Sequence, residues 1–199
     1  MLKKVLSAAV LLAAVNASAG ENYFANEWDA KGLIALEGSG GSMNLIAKDA
    51  TTIYNTETVA AGSMSLKLGG ESKHYRLFLA GTYYQLDDST IITDSTAYSL
   101  GLQVDYLIRA GEHFNIFMGL NGGLMHTNFE YDILGVTTYD SNTDAYYGGQ
   151  AGVNIDIFDS LGVEFGVRGK SVATADDVYA IDNMYEGYAS IVFKFTGDY

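Results

Sequence analysis

The sequence predicts an all-β chain, an eight-stranded antiparallel up-and-down transmembrane β-barrel with its apolar face toward lipid. Three observations predict it. Period-two alternation of apolar and polar residues recurs in eight segments, while helical periodicity is scarce. The connections between segments alternate between long and short. Aromatic residues stand at both ends of the apolar faces, with aliphatic residues between them.

The predicted strands lie near residues 30–39, 58–69, 74–85, 96–108, 113–126, 144–157, 161–170 and 185–196. The first places Ala30, Ile34 and Leu36 on its apolar face, and the second Ala60, Met64, Leu66 and Leu68. The third carries Tyr75, Leu77, Leu79 and Tyr83 there, and the fourth Tyr98, Leu100, Leu102, Val104, Tyr106 and Ile108. On the fifth the same face holds Phe114, Ile116, Met118, Leu120 and Leu124, and on the sixth Tyr147, Ala151, Val153, Ile155 and Ile157. The seventh has Leu161, Val163, Phe165 and Val167, and the eighth Gly187, Ala189, Ile191, Phe193 and Phe195. None of these faces holds Asp, Glu, Lys or Arg. The stretches 40–57, 86–95, 127–143 and 171–184 read as long loops, and 70–73, 109–112 and 158–160 as tight turns. Long connections thus gather at one end and short ones at the other, the arrangement of outer-membrane barrels.

Alternation alone does not orient the faces, because a soluble barrel turns its apolar face inward. The aromatics orient them. Tyr83, Tyr98, Tyr147 and Tyr185 lie at the long-loop end, and Tyr75, Tyr106, Phe114, Phe193 and Phe195 at the short-turn end. These form two girdles suited to the headgroup level. From Tyr75 to Tyr83, eight steps at roughly 3.3 Å and a tilt near 40° give about 20 Å of height. That is close to the apolar band of roughly 25 Å in such barrels. The opposite faces carry a polar network of Lys67, Arg76, Asp105, Asp156, Glu164, Arg168, Lys170 and Lys194, with Lys31, Glu37, His74, Gln103, Asn115, Asn121, Gln150, Asn154 and Glu186. Cations and anions nearly balance, as charges enclosed in a lumen must.

Residues 1–19 read as a secretory signal peptide: Lys3 and Lys4, the apolar run 5–15, then Ala17-Ser18-Ala19. The barrel domain is then 20–199, and the segment 20–27 lies either in the periplasm or within the barrel. Loss of Lys3 and Lys4 takes the formal charge from −13 to −15. Such a chain repels nucleic acid. With no cysteine there is no disulfide, thiolate metal site or cysteine nucleophile.

Signal peptide, eight strands, alternating loops and an aromatic near the terminus together resemble the OmpA/OmpX-like outer-membrane β-barrel family. The terminal aromatic is Phe195, or Tyr199 if the last strand runs further. The resemblance covers the whole mature chain and rests on pattern. It implies residence in the outer membrane of a Gram-negative bacterium and contact with outer-membrane lipid and lipopolysaccharide. It also implies insertion by the barrel-assembly machinery through the C-terminal strand. No peptidoglycan-binding domain is expected after the barrel, so the resemblance does not imply a cell-wall role.

The expected function is structural or surface-interacting, of adhesion type, with a lumen plugged by side chains. The alternative is a narrow porin for small solutes, its space left by Gly101, Gly119, Gly123, Gly148 and Gly152. No enzyme activity, cofactor or metal is expected. His126 stands near the outer rim, where some barrel enzymes acting on lipid A place a histidine, but those deacylases have Ser two residues on and Asn128 stands here. The long loops and their margins bear twelve acids (Asp49, Glu57, Asp87, Asp88, Asp94, Glu130, Asp132, Asp140, Asp144, Asp176, Asp177 and Asp182) against Lys48. This predicts an anionic extracellular crown. An extracellular partner is expected at loops 40–57 and 127–143, the latter as a protruding hairpin whose edge pairs with other chains.

Overall fold

The computed structural model describes residues 31–49, 52–87, 95–133, 136–173 and 179–196. The expected signal peptide, the segment 20–27 and Tyr199 lie outside these residues. The strands are β1 (Lys31–Asp49), β2 (Thr52–Glu71), β3 (Tyr75–Leu86), β4 (Ser95–Arg109), β5 (Phe114–Ile133), β6 (Val136–Phe158), β7 (Leu161–Ala173) and β8 (Tyr179–Thr196). Each pairs antiparallel with the next, and β8 closes on β1 from Lys31 opposite Thr196 to Ala47 opposite Tyr179. Closure leaves no free edge within the barrel wall, which hydrocarbon surroundings demand.

Side-chain direction follows the pleat. Along β4, burial alternates at every residue from Ala97 to Ile108, with Ala97, Ser99, Gln103, Asp105 and Leu107 inside and Tyr98, Leu100, Leu102, Val104, Tyr106 and Ile108 outside. The large apolar residues of the outer wall remain exposed, Met64 at 74% and Leu120 at 73%. A soluble barrel would have buried them.

The strands are longer than alternation alone marked out. The stretches 40–57 and 127–143, predicted as loops, are strand over nearly their whole length. In the first, the inward parity continues through Met43 and Leu45, both buried. The second is rich in the β-branched and aromatic residues that favour extended backbone, from Phe129 to Tyr139. Strand also enters the expected long loops 86–95 and 171–184, with β3 reaching Leu86, β4 starting at Ser95, β7 reaching Ala173 and β8 starting at Tyr179. At the other end, the turns are tight. Ala110 N–H donates to Phe114 O at 3.0 Å, and Ser72 N–H to Tyr75 O at 2.8 Å. His74 belongs to that last turn and is exposed, so it is not part of the inner face.

The pairings also show how far each hairpin rises. The β4–β5 ladder ends at Thr96 opposite Asn128 and the β6–β7 ladder at Ala145 opposite Ala173, whereas β5–β6 continues to Ile133 opposite Val136. β2–β3 ends at Ala61 opposite Leu86, while β1–β2 runs on to Asp49 opposite Thr52. Two extensions therefore rise past the ends of the β2–β3, β4–β5 and β6–β7 ladders: the two-stranded β5–β6 ribbon, and β1–β2 with β8 still paired to β1 as far as Ala47 opposite Tyr179.

Candidate functional site

The inner faces meet in an ionic network. Among the described residues, its pairs join Lys67, Arg76, Arg168, Lys170 and Lys194 to Glu37, Glu71, Asp105, Asp156, Glu164 and Glu186. Glu37 is a node. It accepts from Lys67 Nζ, from Arg168 Nη2 at 2.9 and 3.1 Å, and from Ser190 Oγ at 3.1 Å. Arg168 also lies 3.8 Å from Glu186, which Lys170 approaches to 3.3 Å. Arg76 spans the barrel, holding Asp105 at 3.0 Å on one side and Glu164 of β7 on the other. Gln103 and Gln150 donate to the Asp105 carboxylate. Nearer the tight turns, Lys194 reaches Glu71 at 3.2 Å and Asp156 at 2.9 Å.

Apart from Asp156, whose side chain is 18% exposed, these charges are buried. Arg76 and Lys67 are each 1% exposed. Such ions persist only when paired and hydrogen-bonded. Aromatic rings complete their surroundings. The Arg76 guanidinium lies 5.0 Å from the Phe78 ring centre and 4.9 Å from that of Phe117, and Arg168 lies 4.5 Å from Tyr188. Lys170 stands 5.0 Å from Tyr84 and 5.2 Å from Tyr146, and donates to the Tyr84 hydroxyl. Toward the long-hairpin end the interior becomes apolar, a cluster built on Met43, Leu45, Tyr84, Met125, Tyr146 and Met184.

Two features of this interior are absent from the sequence reading. Glu71 was assigned to a tight turn, but it ends β2, opposite Arg76, and faces inward. The inward aromatics and methionines share their faces with the polar residues and carry no charge to mark them. Their parity is the usable signal: Tyr84 lies one residue from outward Tyr83, and Tyr188 shares its face with Lys194. The glycines of the inner face do not leave vacant space. A Cβ at Gly101 would strike the Tyr146 hydroxyl, at Gly119 the Asp105 carboxylate, and at Gly152 the Phe117 ring. Glycine is needed there so that bulky neighbours can cross.

The girdle residues Tyr75, Tyr83, Tyr98, Tyr106, Phe114, Tyr147, Tyr185, Phe193 and Phe195 all stand exposed on the outer wall. Tyr83 pairs with Tyr98 across the strands at the long-hairpin end, and Tyr75 with Tyr106 at the other. Phe158 joins the second group. A register shift between Asp156 and Phe158 turns both Ile157 and Phe158 outward, which strict alternation does not foresee. His126 is also on the outside, opposite Tyr98, with Nδ1 2.8 Å from Thr143 Oγ1. Among the described residues, no group of His, Asp and Glu is arranged to hold a metal ion.

No family model matches the sequence, and no curated protein matches it. Solved structures do match. Neisserial surface protein A (NspA) aligns over 84% of this chain and 99% of its own, with 15% identity and a TM-score of 0.59. Outer membrane protein H (OprH) of P. aeruginosa aligns over 83% of this chain and 99% of its own, with 20% identity and a TM-score of 0.52. The protein has the closed eight-stranded fold of OmpA/OmpX-like outer-membrane β-barrels.

Proposed function

We propose that this protein resides in the outer membrane of a Gram-negative bacterium and serves there as a structural and surface-interaction protein of adhesion type. Residues 1–19 direct export, the outer wall contacts phospholipid and lipopolysaccharide, and β8 engages the barrel-assembly machinery. One observation carries the interaction role: the β5–β6 hairpin continues past the ladders on both its sides, to Ile133 opposite Val136. Phe129–Ile133 of β5 extends beyond the β4 ladder, leaving main-chain groups to which a partner's extended segment adds a strand. The β5–β6 ribbon also bears Glu130, Asp132, Asp140 and Asp144 with no Lys or Arg between residues 127 and 144, which favours a cationic partner. The test is attachment of cells displaying the full chain to protein-coated surfaces, against a variant with residues 129–140 replaced by a short turn. Loss of attachment at equal surface display supports the role, and unchanged attachment refutes it.

The lumen acts as a plug in this reading. Paired charges, aromatic rings crossing glycines and the apolar cluster at the long-hairpin end support it. The narrow-porin alternative requires a continuous water path. Single-channel recording separates them, since a plugged barrel gives no steady conductance at low protein concentration and passes no small sugar in liposome swelling.

A further inference from the structure

Lys67, Arg76, Arg168, Lys170 and Lys194 are locked in the lumen network, and Lys73 and Arg109 stand outside it. Lys73 lies in the turn between β2 and β3 and Arg109 ends β4, and both are exposed at the tight-turn end. They are neighbours, because β3 pairs with β4 down to Tyr75 opposite Tyr106. Arg109 Nε donates to the Lys73 carbonyl at 3.0 Å, which fixes the guanidinium against the turn. Among the described residues neither side chain forms an ion pair, so the outer fork of the guanidinium is left without an anion. The turn also leans outward. By alternation from Tyr75, His74 belongs to the lumen side, yet its ring stacks on outward Tyr106 at 6.2 Å, with 20° between the planes. Tyr75 meets Tyr106 edge-on at 5.4 Å. Two fixed cations therefore cap a patch of three rings on the outer wall, and that wall continues through exposed Ile108 and Val104.

We infer that this rim binds the phosphodiester of an anionic phospholipid, whose acyl chains lie along the wall beyond the rings. The planar fork of Arg109 matches two phosphate oxygens, and Lys73 supplies a second charge beside it. Tyrosines at the headgroup level flank the glycerol. The inference rests on the outer-membrane reading, in which the tight turns face the periplasm. The leaflet on that side is phospholipid, and lipopolysaccharide occupies the other, at the level of the long hairpins. Charge then selects the headgroup. The two cations share their turns with one acid, Glu112, which leaves the rim formally positive with histidine neutral. A zwitterionic headgroup brings an ammonium toward both cations, and a headgroup of net negative charge does not. A free anion would use the cations but neither the rings nor the apolar wall.

The experiment uses the full chain refolded in an uncharged detergent, incubated with phosphatidylglycerol and phosphatidylethanolamine in equal amounts. Native mass spectrometry reads the ratio of the two adducts. One net cation at a membrane surface is worth roughly fivefold, so the wild type is expected to favour phosphatidylglycerol by about that factor. Arg109→Gln and Lys73→Gln, each a change on an exposed side chain, should bring the ratio near unity, and Glu112→Gln should raise it. Ser160→Glu lowers the charge of the same end by as much, in the exposed turn between β6 and β7, and should leave the ratio unchanged. No preference in the wild type overturns the inference. So does an equal fall in Ser160→Glu, which would reduce the effect to overall charge. Displacement of the lipid by excess inorganic phosphate overturns the lipid as occupant, whereas its retention supports it. Each protein is first checked for a heat-sensitive compact band on gels. Absence of that band in the wild type overturns the lipid-facing reading itself, a failure distinct from loss of selectivity in a folded barrel.

Discussion

Replacing Glu37 by Gln tests the lumen network at its node. Glu37 is surrounded by donors: Lys67, two contacts from Arg168, and Ser190. Gln keeps the shape but removes the charge and turns an NH2 group toward a cation. The two cations do not suffer equally. Arg168 keeps Glu186 at 3.8 Å and the Gln150 carbonyl at 3.2 Å. Lys67 has no other ion pair among the described residues, and the Tyr188 ring, 5.2 Å away, compensates weakly. One stranded buried cation therefore sets the cost, at about 3 kcal/mol, the low end for breaking a buried pair. Lys67→Met is expected to cost about half as much, on the order of 1–2 kcal/mol, because Glu37 retains Arg168 and Ser190. In the double variant no cation is stranded, so its loss falls short of the summed losses by at least about 1 kcal/mol. Urea unfolding of the barrel in lipid vesicles measures all three. Additive losses, or a Glu37→Gln variant as stable as wild type, would refute the pairing of these groups across the lumen.

Leu120→Arg places a cation midway along the outer face of β5. It is expected to cost about 2–4 kcal/mol in vesicles, the midplane penalty for such barrels, whereas an unchanged unfolding midpoint would contradict lipid contact. Gly101→Ala collides with Tyr146 and should destabilise the barrel by about 1–3 kcal/mol. Gly81→Ala meets nothing and should be neutral or slightly stabilising, so the same unfolding assay, run on both, reads inside from outside. His126→Ala removes the contact with Thr143 and should leave the lipid A of overproducing cells identical to that from wild-type overproducers by mass spectrometry; a difference between them would reveal an activity.

The architecture was legible because a closed sheet in lipid leaves a strong mark on the sequence. Every outward position from Tyr98 to Ile108 is apolar, and the girdles show where that requirement ends. Strand ends were less legible. Above the membrane the outer face no longer has to be apolar, so alternation fades at residue 40 and residue 127 although the backbone pairing continues. Glu71 was hidden for a related reason, since a turn and a strand end look alike when only one inward residue remains. The polar members of the interior announced themselves, but which cation meets which anion did not. That Arg76 spans to Glu164 depends on β3 facing β7 across the closed barrel, a relation with no trace in local spacing.

The interior is more tightly specified than stability alone requires. Apolar residues of similar volume often match or exceed a buried ion pair in stability. This barrel has apolar filling where the long hairpins begin, so side chains of that kind fit its width. Yet the middle and the tight-turn end hold charges that tie β1 to β2 and β7, β3 to β4 and β7, and β8 to β2 and β6. A sheet slipped by one residue would turn these ions into lipid, at a cost of several kcal/mol for each unsatisfied group. The network therefore penalises wrong registers more than it rewards the right one. That matters most for β1 and β2, which set the smooth sequence Gly40-Gly41-Ser42 against Ala60-Ala61-Gly62, where side-chain shape says little about register. Glu37 and Lys67 both lie on the tight-turn side of that stretch and hold it in place, so the register of the strands above the membrane is set by charges below its surface.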